Sequence, residues 1–591
     1  MSARLVRQVC LWMLVALSTL ATLSTLPAAN AADMNKTLHV VLQNGETILD
    51  PAQASDINTL SVIENIFDAP LRYDYLARPL QVRPNLLRAM PVISADGLSY
   101  TLQLRDDVRF TPDPAFGGST SHGRAMTADD LAYSIRRHYD PAIKSAWLFL
   151  LQGKLRGDAA LQRTPFDPDL AIAGLQVVDR STLRIVLNRP EPNFLFMLAM
   201  PALSIVAREV IQARGVMPVG SGPYLLRQWQ RNTHLVLEAN PDFRPMVFDD
   251  DGAADPALAR GLHGKRLPLI GRIDIRVIEE QQARVLGFLH GDFDLLDPAP
   301  APLSRLLLDH GVLKPELAQR GIGLTLLPMM ELDYLWFNMD DPTVGGTDLA
   351  HIALRRAIAL TYPRQEDIAM LSHGLALPTR SPVPPNVRGH DPLATAVAAP
   401  DPALARALLT YFGYRERDGS GWRAQPDGRP LTLTMHSVAS TTGRLRDELW
   451  SRALGQIGIR VVFNNGKFAD LLKAARLGQV QMMDAEWIGD YPDAENFYQL
   501  LYGPNSGSGN RARFRLPAYD RLFEQAGAMA DSPARNALYR QMDQLILGYA
   551  PWVMRSTPLW PIVHQPWLRN FVRHPVVNTA WRYLDTEPAR R

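Results

Sequence analysis

The sequence predicts a mixed α/β protein with more than one domain. At 591 residues, the chain is longer than a single ordinary hydrophobic core accommodates. Its composition is 47% hydrophobic and 21% charged, which is typical of a folded globular protein and excludes disorder as the main theme. In the second half, segments with strand periodicity alternate with segments of helical periodicity, an order typical of a mixed α/β fold.

The N-terminus predicts a secretory signal peptide over residues 1–31. Arg4 and Arg7 precede an apolar run that is shorter than the roughly 20 residues of a comfortable membrane span. Ala29 and Ala31 occupy the small-residue positions before a cleavage point, so we expect cleavage after Ala31 rather than a retained anchor. The mature chain is therefore expected to be exported.

Cysteine content and charge exclude several classes of site. Cys10 is the only cysteine, and it lies inside the apolar run, too early for a lipid-modified cleavage site. The mature chain therefore has no disulfide, cysteine nucleophile or thiolate metal site. The whole chain has 62 basic and 60 acidic residues, and removal of Arg4 and Arg7 leaves 60 of each, so its charge does not indicate nucleic-acid binding.

Up to residue 339, strand patterns predominate. Tyr100, Leu102 and Leu104 alternate with polar residues and predict a half-buried strand. Thr127, followed three positions later by Asp130, predicts a helix with a capping box in which aspartate replaces the usual glutamate. The other expected elements are strands within 38–43, 181–190, 218–229, 272–278, 323–328 and 334–339, and helices within 59–71 and 281–290.

Beyond residue 339, helices and strands alternate. A helix is expected within 354–368, interrupted at Pro363, and another begins at 402 and ends at Gly413. The elements expected next are a strand within 431–437, a helix within 442–458, a strand within 459–464, a helix within 468–478 and a strand within 480–487. Two further helices and a tail rich in proline and tryptophan are expected to close the chain.

The sequence lacks the common motifs of catalysis and metal binding. It has no G-x-S-x-G elbow, no H-E-x-x-H pair and no phosphate-binding P-loop. The thirteen histidines are scattered, and the segment from His290 to Asp294 is interpreted as a helix that ends at Gly291. We therefore expect a binding protein rather than an enzyme, with no metal and no cofactor.

Residues 487–497, WIGDYPDAENF, place a tryptophan and several acids at the end of an expected strand. The local sequence leaves two interpretations open. Either Asp490 faces a binding site beside Trp487, or Trp487 belongs to the core and Asp490 caps a turn before Pro492.

A series of segments resembles the peptide-type solute-binding proteins of bacterial ABC importers, the oligopeptide-, dipeptide- and nickel-binding group called extracellular solute-binding protein family 5. Each match alone is weak, but the matches follow the family's order over nearly the whole mature chain. In GSGPY, Ser221 stands where the family usually has threonine. The matching segments include LDP at 49–51, NIFDAPL at 65–71, the strand at 96–110, TADDLAYS at 127–134, GSGPY at 220–224, YLWFN at 334–338, LRRAIAL at 354–360 and LGQIGI at 454–459.

This resemblance implies a bilobed periplasmic-binding-protein fold, in which two α/β lobes close on a ligand about a two-segment hinge. The implied first lobe holds both chain ends, at 32–333 and 552–591, and the implied second lobe covers 334–551. The hinge is expected near 332–339 and 550–557. The implied protein is a periplasmic monomer that captures a small peptide or peptide-like solute. It delivers this ligand to the inner-membrane permease subunits and cytoplasmic ATPase of an ABC importer.

The resemblance also implies the ligand-binding residues. Asp490 is expected to receive the α-ammonium of the ligand, with Trp487 as an apolar wall. The backbone at Glu486 and Ile488 is expected to pair with an extended peptide by strand addition. A buried ammonium is costly unless it is paired and hydrogen-bonded, so a carboxylate in a water-excluded cleft suits this role. Asn510 matches an asparagine in the family's pocket-side loop.

Several positions depart from the family pattern. Glu486 replaces a small residue, usually glycine, and could narrow the expected pocket or add a charge to it. Pro363 stands where an acid is usual, Ala494 stands where aspartate–proline is common, and the loop at 111–124 is longer than the family's short turn. No motif matches the basic group that holds the carboxylate of a dipeptide. The arginines available by composition alone are Arg380, Arg444 and Arg446.

Other functions stay open at this point. The same fold could bind haem, a nickel chelate or an opine-like molecule, none of which needs Asp490 as an ammonium partner. A secreted hydrolase would need a nucleophile, base and oxyanion arrangement that the sequence does not show. A chaperone-like or signalling role that reuses the fold is also compatible with the sequence.

Overall fold

The computed structural model describes residues 32–46, 48–117, 123–163, 165–250, 254–394, 399–416 and 419–587. The expected signal peptide and the central part of the 111–124 loop lie outside these residues. None of the described helices is both long enough and apolar enough to cross a bilayer.

Helices occur along the whole described chain. The α-helices are α1 (Ile57–Ile66), α2 (Ala128–Arg137), α3 (Phe194–Met197), α4 (Arg208–Arg214), α5 (Pro256–Leu262), α6 (Gln281–His290), α7 (Ser304–Leu307), α8 (Pro315–Gln319), α9 (Leu349–Thr361), α10 (Arg364–Leu371), α11 (Pro402–Tyr411), α12 (Thr441–Gly455), α13 (Phe468–Arg476), α14 (Glu495–Tyr498), α15 (Pro517–Gly527) and α16 (Pro533–Tyr549). Short 3₁₀ helices lie at Pro114–Phe116, Leu148–Leu150, Asp158–Gln162, Pro201–Leu203, Ala301–Leu303, Gln499–Leu501, Gly503–Asn505 and Trp581–Tyr583.

Strands are interspersed with these helices. They are β1 (Asp33–Leu42), β2 (Leu71–Tyr73), β3 (Val82–Pro84), β4 (Val92–Ile93), β5 (Ser99–Gln103), β6 (Leu175–Asp179), β7 (Thr182–Val186), β8 (Tyr224–Gln230), β9 (His234–Ala239), β10 (Met246–Val247), β11 (Arg266–Leu267), β12 (Ile270–Val277), β13 (Leu295–Leu296), β14 (Leu308–Asp309), β15 (Val312–Leu313), β16 (Gly323–Pro328), β17 (Glu331–Phe337), β18 (Ala376–Pro378), β19 (Arg415–Glu416), β20 (Arg423–Ala424), β21 (Thr432–Val438), β22 (Arg460–Gly466), β23 (Met482–Ile488), β24 (Trp552–His564), β25 (Leu568–Arg569) and β26 (Asp585–Thr586).

The largest sheet of the described chain contains twelve strands, in the order β22-β21-β23-β17-β24-β13-β1-β12-β9-β8, with β16 and β18 also paired to β24. β1 runs parallel to β12, and β21 runs parallel to both β22 and β23. β17 is antiparallel to its neighbours β23 and β24. Strands β4, β5, β7 and β6 form a separate antiparallel sheet. The predicted mixed α/β class is therefore confirmed.

Local sequence signals account for several helix boundaries. At the start of α2, Thr127 and Asp130 form the predicted capping box, in which the backbone N–H of Thr127 donates to the Asp130 carboxylate at 2.8 Å. Gly291 ends α6 with a φ of 98°, a left-handed conformation that glycine adopts without a Cβ penalty. Pro363 separates α9 from α10, as expected of a residue that cannot continue a helix.

The end of the chain corrects the sequence prediction. The segment treated as a proline- and tryptophan-rich tail contains β24, a strand of 13 residues inside the large sheet. Pro558 and Pro561 lie within this strand, although proline cannot donate to a strand ladder. Here both residues use their carbonyls, which accept from Met329 N at 2.9 Å and from Ala299 N at 2.7 Å.

β24 pairs with two strands, β17 and β16, that lie on either side of the expected boundary between the lobes. Its first part, Trp552 to Ser556, pairs with β17, and its second part, Leu559 to His564, pairs with β16. Two buried apolar clusters consist mainly of residues from the expected first lobe, and two others consist mainly of residues from the expected second lobe. Tyr491 crosses this division, since it packs in a first-lobe cluster. The lobe limits stay a prediction, and β17 and the start of β24 coincide with the two expected hinge segments.

Candidate functional site

A cavity of about 370 Å³ is lined by residues from both expected lobes. Ile488, Gly489 and Asp490 contribute from the end of β23, in the expected second lobe. All of the remaining lining residues belong to the expected first lobe. Its charged members are Glu64, Asp68, Arg72, Arg573 and Arg582, and its aromatic members include Tyr73, Tyr75, Trp560 and Tyr583. Apolar walls with a few charged groups are typical of sites for small molecules.

Asp490 is positioned by Asn496, a fully buried residue in α14. Nδ2 of Asn496 donates to Oδ2 of Asp490 at 3.0 Å. Oδ1 of the same amide accepts from Asp490 N at 3.1 Å and from Nε1 of Trp487 at 2.9 Å. One amide therefore orders both the acid and the tryptophan at the end of β23. The sequence analysis did not single out Asn496.

The Asp490 carboxylate faces the cavity with no basic group within 4.0 Å among the described residues. Burial raises its pKa above the usual value for aspartate, and the hydrogen bond from Asn496 partly offsets this increase. A cation in the cavity would favour the ionised form of Asp490 and would be stabilised by it in turn. The structure therefore places a carboxylate where it can receive a positive charge.

Trp487 lies on the opposite side of β23 from Ile488, because side chains alternate along a strand. It lies opposite Leu332 of the neighbouring strand β17, and it packs against the apolar cluster that contains Leu332 and Phe497. It is not among the described residues that line the cavity. Its expected role as a wall of the ligand pocket stays a prediction, and its observed contact with the site passes through Asn496.

The backbone near the end of β23 has a free edge. β17 covers one edge as far as Ile488, whereas β21 pairs with β23 only at Met482 and Met483. Among the described strands, none therefore pairs with the β21 side of Glu486 and Ile488. This geometry is what the predicted strand addition needs. Ile488 lines the cavity, and the exposed Glu486 side chain lies on the same face, two residues earlier.

Asn510 holds its own loop together. Its side chain is fully buried, and Nδ2 donates to the carbonyls of Tyr502 at 3.0 Å and Phe514 at 2.8 Å. Its Oδ1 accepts from Phe514 N at 3.2 Å. Asn510 is not among the described residues that line the cavity, so the expected ligand contact stays a prediction.

The other acids of the WIGDYPDAENF stretch have protein partners. Asp493 is almost completely buried, and its carboxylate accepts two hydrogen bonds from Arg535, at 2.6 and 3.0 Å. It also accepts from Glu495 N at 3.0 Å, at the start of α14. Glu495 accepts from the hydroxyl of Tyr491. Among these acids, only Asp490 lines the cavity.

Arg582 is a cavity residue that the sequence analysis missed. Its guanidinium donates to the Glu64 carbonyl at 2.8 Å and has no carboxylate within 4.0 Å among the described residues. By contrast, Arg72 pairs with Asp250 at 3.0 Å, and Arg573 pairs with Asp297 at 2.9 Å. Arg582 lies far along the chain from the motifs that carry the resemblance. The arginines considered by composition, Arg380, Arg444 and Arg446, are not among the lining residues.

Glu64 is a second carboxylate in the wall of the cavity. Its oxygens accept from Asn578 N at 3.2 Å, Asn578 Nδ2 at 2.8 Å and Thr579 N at 3.1 Å. Burial nevertheless raises its pKa to about 7. Its bonds with the segment before the C-terminus fix this wall of the cavity.

Comparison with known proteins places the chain in a family. Residues 81–509 match the family model described as bacterial extracellular solute-binding proteins, family 5. The chain is 27% identical over 481 residues to di/tripeptide-binding protein 2 of Pseudomonas aeruginosa, covering 79% of this chain and 80% of that protein. It is 25% identical to heme-binding protein A of Haemophilus influenzae, covering 82% of this chain and 80% of that protein.

A solved structure shows the same fold. HbpA2 of Haemophilus parasuis superposes with a TM-score of 0.74 at 20% sequence identity, covering 93% of this chain and all of that chain. The predicted bilobed periplasmic-binding-protein fold is thus confirmed. The family comprises solute-binding components of ABC importers, which confirms the prediction of a binding protein rather than an enzyme. By its match over most of its length, the chain belongs to the bacterial extracellular solute-binding proteins of family 5.

Proposed function

We propose that this protein captures a peptide or peptide-like solute with a free ammonium group and delivers it to an ABC permease. Asp490 is the observation that supports this proposal most directly. It is a half-buried carboxylate that lines the cavity, with no basic partner among the described residues. A ligand ammonium would supply the missing charge in a charge-assisted hydrogen bond.

The surroundings of Asp490 suit an extended peptide. The free edge of β23 offers backbone groups beside the acid, which bind main chain irrespective of the side chains. Arg582 adds a positive charge to the same cavity, so a solute with an ammonium and a carboxylate finds one partner of each sign. Asp490 and Arg582 come from different expected lobes, so such a solute would bridge the lobes and favour closure.

Thermal-shift measurements on protein stripped of endogenous ligand test the proposal. Free dipeptides and tripeptides, their N-acetylated forms and haem are compared. At 100 times its dissociation constant, a ligand stabilises the protein by about 2.7 kcal/mol. We expect free peptides to raise the melting temperature more than acetylated ones, and Asp490→Asn to abolish the difference. The exposed Asp531, changed to asparagine, is the matched control.

Two results would overturn the ammonium proposal: equal shifts with free and acetylated peptides, or an unchanged response in Asp490→Asn. A larger shift with haem would identify a non-peptide ligand in the same fold. Mass spectrometry of the recovered peptide distinguishes binding from hydrolysis, since binding leaves its mass unchanged.

We further propose that the mature protein is a periplasmic monomer that begins after Ala31. Support comes from the A-x-A pattern of the N-terminal sequence and from relatives named as periplasmic. N-terminal sequencing of the exported protein checks the cleavage point. Light scattering at micromolar concentration checks the monomer.

A further inference from the structure

Three carboxylates converge on one face of the sheet beside the cavity. β17 and β23 pair so that Glu331 lies opposite Ile488 and Asp333 lies opposite Glu486. Paired residues and residues two apart share a face, so the three acids and Ile488 lie on the same side. One oxygen from each of Glu331, Asp333 and Glu486 lies within 4.8 Å of the other two.

Glu331 is the most buried member of this cluster. It is only 9% exposed, yet its carboxylate has no hydrogen bond or ion pair within the described parts of the chain. Burial, followed by the charges of Asp333 and Glu486, raises its pKa to about 8. A largely buried carboxylate without a partner is costly to ionise, so a cation beside it would stabilise its charged form.

Protein cations nearby do not neutralise the cluster. Arg555 exerts a weaker opposing effect on Glu331, but its guanidinium pairs with Asp367 at 3.4 Å and Asp484 at 3.3 Å. Asp333 accepts a hydrogen bond from the neutral hydroxyl of Ser556 at 2.7 Å. The cluster therefore keeps an excess of negative charge.

The spacing of the carboxylates suits one positive charge. Calcium binds oxygen ligands at about 2.3–2.6 Å, so two oxygens on one ion lie at most about 5 Å apart. An ammonium group reaches several oxygens at a similar spacing through its three donors. Glu486 is exposed, which leaves the cluster open on that side.

We propose that Glu331, Asp333 and Glu486 form a cation-binding site beside the solute cavity. The cation is either a small divalent ion or a positively charged side chain of the bound solute. The second source rests on the proposed function, since it requires the solute to lie along β23. The first source is independent of it.

Isothermal titration of the EDTA-treated protein with calcium chloride tests the inorganic source. The matched variants are Glu486→Gln, at the exposed member of the cluster, and Glu316→Gln, at an exposed glutamate on α8. Loss of one charged ligand should weaken calcium binding by about tenfold or more in Glu486→Gln and leave it unchanged in Glu316→Gln. Calcium binding should also release protons near neutral pH, because Glu331 must ionise to coordinate the ion.

A parallel titration with two dipeptides tests the organic source. One carries lysine and the other norleucine at the same position. If the side chain supplies the cation, the wild type prefers the lysine peptide, Glu486→Gln reduces this preference, and Glu316→Gln leaves it unchanged. Either a calcium response or a lysine preference that depends on Glu486 supports the site.

The proposal is overturned if calcium binding and lysine preference are both the same in wild type and Glu486→Gln. Asp490→Asn separates this failure from failure of the proposed function. If Asp490→Asn does not weaken the binding of either peptide, the proposed role of Asp490 as the ammonium receptor is wrong. The calcium titration still tests whether the acidic cluster binds a cation.

Discussion

The side-chain amide of Asn496 forms two hydrogen bonds with Asp490: its Nδ2 donates to the Asp490 carboxylate at 3.0 Å, and its Oδ1 accepts from the Asp490 backbone N–H at 3.1 Å. Its oxygen also receives the indole N–H of Trp487 at 2.9 Å. The group expected to meet the ligand is therefore positioned by a buried residue that is not itself among the described lining residues.

Replacement of Asn496 with alanine should weaken ligand binding and destabilise the fold together. The indole N–H and the backbone N–H of Asp490 would lose their acceptor, which typically costs about 1–3 kcal/mol for a buried group. The freed carboxylate would also adopt several orientations. Urea unfolding and peptide titration measure the two effects.

Asn510→Ala is the comparison variant for this prediction. It removes buried hydrogen bonds within a loop, so we expect a similar loss of stability with unchanged affinity at a temperature where the protein stays folded. If Asn510→Ala weakens binding as much as Asn496→Ala does, Asn510 contacts the ligand after all.

The contrast between these asparagines shows what the sequence could predict. Asp490 was identified because a strand, a tryptophan and an acid follow one another within a few residues, and a family motif covers them. Asn496 lies in the same stretch, but its role depends on a turn that brings α14 back toward β23. No periodicity of the sequence encodes that contact.

Other parts of the site could not be predicted because they depend on contacts between segments that are far apart in the sequence. Arg582 reaches the cavity from the segment that follows β24, in the part of the chain that was expected to form only a tail rich in proline and tryptophan. Glu331 and Glu486 are more than 150 residues apart in the numbering and meet only through the register of β17 and β23. Single-segment patterns predicted most of the helices and strands that are at least five residues long, because capping and alternation are local. The site depends on which strands become neighbours.

Asp493 should prove essential to the fold and irrelevant to the ligand. It and Arg535 are 1% and 2% exposed, and removal of one partner leaves an unpaired buried charge. Loss of one member of such a pair typically costs about 3–5 kcal/mol. We therefore expect Asp493→Asn to lower the urea midpoint strongly without altering peptide affinity below the transition. Weaker binding with normal stability would show that the turn acid acts at the site.

Peptide affinity should fall at acidic pH, and Asp490 determines where the fall begins. Burial raises the pKa of this acid above its usual value, so its carboxylate gains a proton at a higher pH than an exposed aspartate does. The protonated acid lacks the charge that attracts an ammonium. Titration over a pH series should show this loss in the wild type, whereas Asp490→Asn should bind weakly throughout. A wild-type affinity that stays constant through the acidic range would contradict this assignment.

Glu331→Gln should remove a pH dependence of stability. An unfolded glutamate loses its proton near pH 4.5, whereas folded Glu331 keeps its proton until about pH 8. Between these values folding takes up a proton, so the contribution of Glu331 is complete at low pH and is lost as the pH rises through this window. Burial is the largest cause of the raised Glu331 pKa. The negative charges of Asp333 and Glu486 raise the pKa further, and the positive charge of Arg555 lowers it. Glutamine has nearly the same shape and no proton to lose.

The advantage of Glu331→Gln over the wild type should therefore grow with pH, reaching roughly 2–4 kcal/mol at alkaline pH and nearly vanishing in mild acid. Urea unfolding of both proteins in EDTA, at about pH 5 and about pH 9, measures the difference between their free energies of unfolding. Ionisable groups that both proteins contain affect the two values equally and cancel in this difference. If the stability of the two proteins changes with pH in the same way, the pKa of folded Glu331 is close to its value in the unfolded chain.

Added calcium should stabilise the wild type most at alkaline pH, because there the ion no longer competes with a proton for Glu331. The same addition should have a smaller effect on Glu331→Gln, which lacks one of the three charges.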